Sequence, residues 1–488
     1  MSNLPRVLLG IDLGTTRVKV GLITPAGEPL GIARASYPLD ADPASGRAEQ
    51  DAGDWWRGLA SALRELRAGA GGEIIGIAIA GHGPTLTPVD HHGRPTGPAI
   101  TWRDSRAREE ATELERATGL LGWSLGILPA ALWLTRHDPE AVKRATWFLN
   151  SWEALALRLT GRASTTLVPG QPFPGSQAIG MAGLDPGRIP PTCPTGTVLG
   201  GLTTLAAGEL GLVAGTPVVA GLVDAFASFH GARMVEPGDA IDVGGAAGGF
   251  GVYWDRRVEA AGSYSSPAPL DGLWSVGGAM AATGSALDWF AGPVLGGDRS
   301  IDALVAEAST ASPGADGLVF LPYLAGERSP LWDPAARGVL AGLTLAHGRA
   351  EITRAIVEAA ALAIRHVAQP ILEAGVAVSA MRVCGGPAHS AAWNQLKADI
   401  TGFPVEVPRV LETTVVGAAI VAAVGVGVHP DVPAAIRSMT AIASRLEPNP
   451  ALRETYDRLY ETYVALHPAV APVLARNLAT PQPIGAGT

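Results

Sequence analysis

Lysine is nearly missing from this chain: 488 residues hold three, at positions 19, 143 and 397. Lys and Arg together number 36 against 45 Asp and Glu, a net charge of −9, and no basic run occurs. That argues against nucleic acid as a main partner. Cysteine is almost as scarce. Cys193 and Cys384 make no CxxC pair and no disulfide framework, which fits a reducing compartment. The longest apolar run, Val415 to Val428, has 14 residues, is broken by glycine and is too short for a bilayer. The first residues carry no charged-then-apolar leader, so the expectation is a soluble, cytoplasmic protein without a membrane partner. Two nucleotide motifs are also missing. No glycine precedes any lysine, so GxxxxGK[ST] cannot occur, and GxGxxG is absent. Both absences disfavour a P-loop or a dinucleotide-binding Rossmann site.

What is abundant is apolar residue and punctuation: 47% hydrophobic, with 62 Gly and 39 Pro. Such a chain can bury large cores built from short elements, and its length suggests two domains or three. Apolar runs predict strands at 7–13, 17–23, 30–37, 73–80 and 218–223, with helices at 54–66, 105–117, 151–159 and 202–210. Near Glu236-Pro-Gly-Asp239 the pattern restarts. Strands are expected at 240–244, 250–254, 381–384 and 405–407, and helices at 348–373, 390–401, 413–424 and 452–466. Asp12-Leu-Gly-Thr-Thr16 and Asp242-Val-Gly-Gly-Ala246 have the same form, 230 residues apart. Each ends a first strand and turns into a second. Two unrelated glycine turns would read the same way; the alternative is one α/β domain present twice. The expected division is 1–235, 236–475 and a loose tail, 476–488.

A turn of Gly and Thr exposes backbone N–H groups that can bind phosphate without lysine. Gly14, Thr15 and Thr16 make such a turn, and Asp12 at the strand end could hold Mg²⁺ through water; a plain hairpin is the structural alternative. Gly122-Trp-Ser-Leu-Gly126 matches GxSxG, but a nucleophile elbow needs an apolar strand before it. Here a charged, helical stretch precedes it, which argues against a hydrolase. His91 and His92 read as a solvated turn.

Five segments in order resemble the FGGY family of carbohydrate kinases, of the actin-like ATPase superfamily. They are Ile11-Asp-Leu-Gly-Thr-Thr16, Ile100-Thr-Trp-Arg-Asp-Ser-Arg106, Gly221-Leu-Val-Asp224, Tyr323-Leu-Ala-Gly-Glu-Arg-Ser-Pro330 with its continuation to Thr344, and Cys384-Gly-Gly-Pro-Ala-His-Ser390 followed by Trp393-Asn-Gln395. Glu412 to Ala419 resembles the next family helix. The resemblance implies an α/β fold of two RNase H-like (actin/hexokinase-type) domains around a central cleft, using ATP and Mg²⁺ on a small sugar or polyol. It implies Asp224 as catalytic base and Asp12 as the metal-positioning residue. Gly14, Thr15 and Thr16 would hold the γ-phosphate, and Gly244, Gly245 and Ala246 the β-phosphate. Thr283, Gly284, Gly385, Gly386 and Pro387 would lie at the nucleotide, with Asn394 or Gln395 bonding the nucleoside. His82, Gly83, Trp102, Arg103 and Asp104 would border the sugar, beside Asp224. Arg106 could instead brace Asp104, and Glu327-Arg328 reads as structural. A homodimer is left open.

Several positions depart from the family. The second phosphate loop usually reads Gly-Thr-Ser, and here it reads Gly245-Ala246-Ala247. Xylulokinases carry Gln-Met-His-Gly where this chain has His82-Gly83-Pro84-Thr85, and Asn where it has Ala225. These substitutions suggest a roomier, less polar sugar site, although D-xylulose remains the expected acceptor ahead of another sugar, sugar acid or polyol. A nucleotide- or sugar-binding regulatory protein is the second class; retention of both Asp12 and Asp224 favours the enzyme.

Overall fold

The computed structural model describes residues 4–42, 44–167, 170, 173–297 and 299–476. The expected tail therefore falls, apart from Arg476, outside the described residues. The chain forms two compact units. One comprises Met1–Arg233, Pro269–Asp271 and Glu412–Thr440; the other comprises Met234–Ala268, Gly272–Leu411 and Ala441–Thr488. Sequence order assigned 412–440 to the second half, whereas packing assigns them to the first.

In the first unit one sheet contains β1 (Arg6–Leu13), β2 (Arg17–Ile23), β3 (Pro29–Ser36), β4 (Glu73–Gly81), β5 (Val198–Gly201) and β6 (Pro217–Val223). Their order is β5-β6-β4-β1-β2-β3. Tight turns keep β1, β2 and β3 antiparallel, while β4 lies parallel to β1 and β6 parallel to β4. Parallel neighbours need long crossovers. Helix α1 (Ala52–Gly69) supplies the first of them. Asp51 caps it, and Trp55, Leu59 and Leu63 bury one stripe at helical spacing. Helices α2 (Ser151–Thr160) and α3 (Asp224–Gly231) follow.

The second unit repeats the plan. Its strands are β7 (Asp239–Val243), β8 (Gly248–Trp254), β9 (Tyr264–Pro267), β10 (Trp274–Met280), β11 (Ala380–Cys384), β12 (Val405–Pro408) and β13 (Ile442–Leu446), ordered β9-β10-β8-β7-β11-β12-β13. Here β7, β8 and β10 are antiparallel neighbours, with β11 parallel to β7 and β12 parallel to β11. Without the edge strands β5, β9 and β13, both sheets read as three antiparallel strands followed by two parallel ones. The duplication expected from two short turns is therefore a duplication of the whole sheet. Asp12 and Asp242 are each the penultimate residue of the central strand.

Helices α4 (Arg349–Glu373) and α5 (Ala391–Thr401) belong to the second unit. α4 is apolar and long enough to cross a membrane by composition, yet 78% of that stretch is buried in the protein. Helix α6 (Thr413–Gly425) lies in the first unit, and α7 (Arg453–Ala475) in the second. α7 continues nine residues past the expected end at Leu466, through Pro468 and Pro472. The strands Tyr264–Pro267 and Trp274–Met280 escaped sequence reading, because Ser, Pro and a Gly-Gly pair dilute their apolar pattern.

α6 lies backbone-to-backbone on α3. A Cβ at Gly417 would sit 1.8 Å from the Ala227 carbonyl oxygen, and one at Gly231 would sit 1.9 Å from that of Thr413. Gly417→Ala should therefore destabilise the protein by about 2–4 kcal/mol, since main chain on both sides must move. Gly69→Ala, with open space at the end of α1, should instead gain up to about 0.5–1 kcal/mol. Chemical denaturation of the two variants checks the contrast.

Candidate active site

Strand register assembles the first-unit site. Leu13 pairs with Gly81, and Gly81 with Val223, so three strands end at one level. Gly14, His82 and Asp224 are the next residues on each chain segment. Adjacent strands lie about 4.8 Å apart, so the β1 and β6 ends are about 10 Å apart and their carboxylates can interact.

Asp12 is 7% exposed. Burial raises its pKa to about 6, partly offset by Lys19 and reinforced by Glu412. Lys19 Nζ lies 3.5 Å from Asp12 and 2.6 Å from Glu412. Asp224 is half-buried at the start of α3, where its Oδ1 accepts the Ala225 N–H at 2.7 Å. Burial lifts it to about 7; the Asp12 charge adds to the rise and the Ala225 N–H opposes it. Two carboxylates thus share one field with their affinities for protons raised, as acid–base sites require. The donor set suits Mg²⁺ arriving with a nucleotide. One hard carboxylate oxygen donor is enough for an ion that keeps water and phosphate ligands.

The turn after β1 is held from several sides. Gly14 N–H donates to the Arg17 carbonyl, and the Tyr37 hydroxyl donates to that of Gly14. Gln50 Nε2 donates to the Thr15 carbonyl at 2.6 Å. Trp102 Nε1 donates to Thr15 Oγ1 at 2.9 Å, and Thr16 stays exposed. Sequence reading missed Lys19, Tyr37, Gln50 and Glu412. Only the β-register, which sets Lys19 directly opposite Asp12, could have pointed to the lysine.

On the sugar side the structure shows how each expected residue is held. Both Asp104 oxygens are engaged, by the Ala48 N–H and by Arg106, which also pairs with Glu49. The loop brace therefore claims the Asp104 carboxylate, leaving Trp102 exposed and Arg103 half-buried. His82 is fully buried. Its Nδ1 meets Thr85 Oγ1 at 2.9 Å, whereas Nε2 has no partner among the described residues. Burial lowers its pKa to about 3, so the imidazole is neutral. The room expected at Gly83 is filled: a Cβ there would meet the Trp152 ring at 2.8 Å. Trp152 Nε1 is likewise buried without a partner among the described residues.

The second-unit residues also converge. Val243 pairs with Cys384, so Gly244 and Gly385 leave the sheet together. A Cβ on Gly385 would lie 2.1 Å from the Gly244 carbonyl oxygen, and one on Gly284 would lie 2.0 Å from that of Gly245. Gly284 and Ser285 N–H groups donate to the Ala246 carbonyl. Three loops meet with no room for side chains, while Gly245, Ala246, Gly385 and Gly386 stay exposed. Thr283 and Pro387 are buried behind them. This cradle fits phosphate binding by backbone N–H groups. Asn394 is 1% exposed, and its Nδ2 donates to the Ala388 carbonyl at 2.9 Å. It braces the 386–389 turn. Gln395 bonds Asp399 and the Glu447 carbonyl. Glu327 accepts the Ala281 and Arg328 N–H groups, as a structural pair should. The GxSxG stretch forms a 3₁₀ turn, Gly122–Leu125, behind the helix Arg108–Thr118 and not behind a strand.

Comparison with known proteins agrees with this geometry. Models of the FGGY family of carbohydrate kinases match residues 7–168 as the N-terminal domain and residues 255–426 as the C-terminal domain. The xylulose kinase of Escherichia coli (strain K12) is 31% identical over 428 residues, covering 81% of this chain and 84% of that protein. The L-xylulose/3-keto-L-gulonate kinase of the same organism is 30% identical over 499 residues, covering 96% of this chain and 98% of its own length. Among solved structures, xylulose kinase from Rhodospirillum rubrum aligns with a TM-score of 0.82 and 30% identity, over 96% of this chain and all of that one. Two matching sheets, two strand-end aspartates and both family domains in order establish that this chain belongs to the FGGY family of carbohydrate kinases, ATP-dependent sugar kinases of the actin/hexokinase-like fold.

Proposed function

We propose that the chain transfers the γ-phosphoryl group of ATP to D-xylulose, giving xylulose 5-phosphate and ADP. The observation that carries this is the pairing of Asp12 with Asp224, whose pKa lies at about 7. A base poised near neutrality suits proton removal from a sugar hydroxyl. The acceptor oxygen forms a bond to the γ-phosphorus as its proton passes to Asp224. The bond to the bridging oxygen breaks, and its electron pair leaves with ADP. Asp12 would hold Mg²⁺ through water, and the ion would supply neutralisation of phosphate charge. Thr15 and Thr16 with Gly14 would steady the γ-phosphate. Gly244, Gly245 and Ala246 would hold the β-phosphate, and Gly385, Gly386 and Pro387 would support the nucleoside, with Thr283 and Gly284 behind. Trp102, Arg103, His82 Nε2 and Trp152 Nε1 would meet the sugar. Buried polar atoms without protein partners are natural sites for ligand hydroxyls. The preference for xylulose rests on the named relatives and on Trp152 closing the space beside Gly83. The same reading makes the protein a cytoplasmic, Mg²⁺-dependent enzyme of small-molecule metabolism.

The base assignment has two readouts. Asp224→Ala should retain ATP binding while turnover falls at least about 10²-fold. In the unsubstituted enzyme, kcat/KM should rise with pH through about 7 and then level, because only ionised Asp224 accepts the proton. Stability should run the other way. The folded pKa exceeds the unfolded one, 3.8, so the stability held by protonated Asp224 is lost as pH rises from about 3.8 to about 7 and then levels. Asp224→Asn should thus raise the melting temperature at pH 8 and give little gain at about pH 3.5. Normal turnover in Asp224→Ala would overturn the assignment.

The acceptor is tested by kcat/KM for D-xylulose, L-xylulose, 3-keto-L-gulonate, gluconate and glycerol. D-xylulose should lead. His82→Ala should weaken the winning sugar by about the 1–3 kcal/mol of an unpaired buried group while leaving the KM for ATP unchanged. A sugar acid or glycerol in the lead would refute the D-xylulose assignment while leaving the kinase intact.

A further inference from the structure

Asp242 sits where Asp12 sits in the other unit, two residues before its own phosphate-loop glycine. It is 3% exposed, and its charge is met by Lys397 Nζ at 2.5 Å. Lys397 is itself 2% exposed and lies over the Trp393 ring at 5.1 Å. The contrast with the first unit is in access. Lys19, beside Asp12, keeps 24% of its side chain exposed, and the Lys397–Asp242 pair is sealed. A sealed ion pair contributes little net stability, but it fixes geometry, and either charge alone is strongly unfavourable there.

Both partners lie on elements that reach the nucleotide loops. Asp242 is on β7, which leads into Gly244, Gly245 and Ala246. Lys397 is on α5, one turn after Asn394, whose amide holds the Ala388 carbonyl and with it the Gly386–His389 turn. One helix therefore holds the strand that leads into one glycine loop by an ion pair, and the turn of another by an amide. Cys384 Sγ, at the end of β11, adds a contact to the Asp242 carbonyl at 3.5 Å.

We propose that Lys397 is a positioning residue for ATP: through Asp242 it sets the Gly244–Ala246 loop against the Gly385–Gly386 loop, which the Gly244 N–H joins by bonding the Cys384 carbonyl, so that the exposed main chain of Gly245, Ala246, Gly385 and Gly386 faces one phosphate chain. This second loop lacks the Thr and Ser hydroxyls usual in the family, so backbone placement carries the contact. Lys397 serves as a fixed internal cation for Asp242, which leaves Asp12 as the carboxylate open to an exchangeable metal. The inference rests on the reading of residues 244–246 as a phosphate loop.

The test is calorimetric binding of ADP and, separately, of the acceptor sugar to the full-length protein, with melting temperature recorded. Lys397→Met leaves Asp242 buried and unpaired, and the Asp242→Asn/Lys397→Met double variant removes both charges at similar volume. Both should bind ADP at least about tenfold more weakly, the scale of a loop misplaced by a fraction of an ångström. Sugar affinity should stay within about twofold of the parent, a split that general damage would not produce. The double variant should melt near the parent, because a neutral replacement of a buried pair is tolerated. A double variant that melts normally and binds ADP as tightly as the parent would overturn the proposal. Gly245→Val separates the two levels. If it leaves ADP affinity unchanged, the phosphate-loop reading fails; if it weakens ADP while the lysine variants do not, only the role of Lys397 fails.

Discussion

The structure turns on a recurring electrostatic demand: an aspartate buried at the end of a central strand. A carboxylate there is expensive to ionise unless a cation faces it. The chain meets the demand twice with lysine, using two of the only three it has. Asp12 is served by Lys19 from the strand directly across, and Lys19 in turn leans on Glu412 from the segment that returns to the first unit. Asp242 is served by Lys397 from a helix. The first arrangement is open and leaves Asp12 protonating near 6, while the second is closed. One duplicated sheet thus carries an aspartate with a partly exposed lysine partner in one copy and one with a sealed lysine partner in the other.

Backbone packing does the rest. The three parallel-paired strands of the first unit end at Leu13, Gly81 and Val223, and their register alone delivers Gly14, His82 and Asp224 to one edge. In the second unit the same device delivers Gly244 and Gly385. Ligand chemistry at the carboxyl ends of parallel strands is a general property of open α/β sheets. What is particular here is the poverty of side chains in the second loop, which reads Gly244-Gly245-Ala246.

Much of this was legible beforehand. The apolar runs at 7–13, 73–80 and 218–223 read as strands because they are short, continuous and bounded by turn residues. The two Asp-x-Gly turns raised the repeat without deciding it, since two unrelated glycine turns read the same way. Other features were hidden because they arise from distant pairing. Nothing local in Arg17-Val-Lys-Val marks Lys19 as the partner of Asp12 or of Glu412. For Asp104 the sequence left sugar ligand and Arg106 brace both open, and it could not show that the distant Ala48 N–H also bonds the carboxylate. Gly83 looked like added room until Trp152 proved to occupy it. Helix α7 runs through Pro468 and Pro472, past the end that the apolar pattern set at Leu466.

The central claim is a chemical one: that this fold moves a phosphoryl group to a sugar hydroxyl and not to water. Phosphorus NMR of ATP, Mg²⁺ and ¹³C-labelled D-xylulose with the purified protein tests it directly. The account predicts a phosphomonoester signal growing in step with ADP, with carbon–phosphorus coupling at C5 of the sugar. Release of inorganic phosphate alone, or no turnover with any sugar, would contradict it.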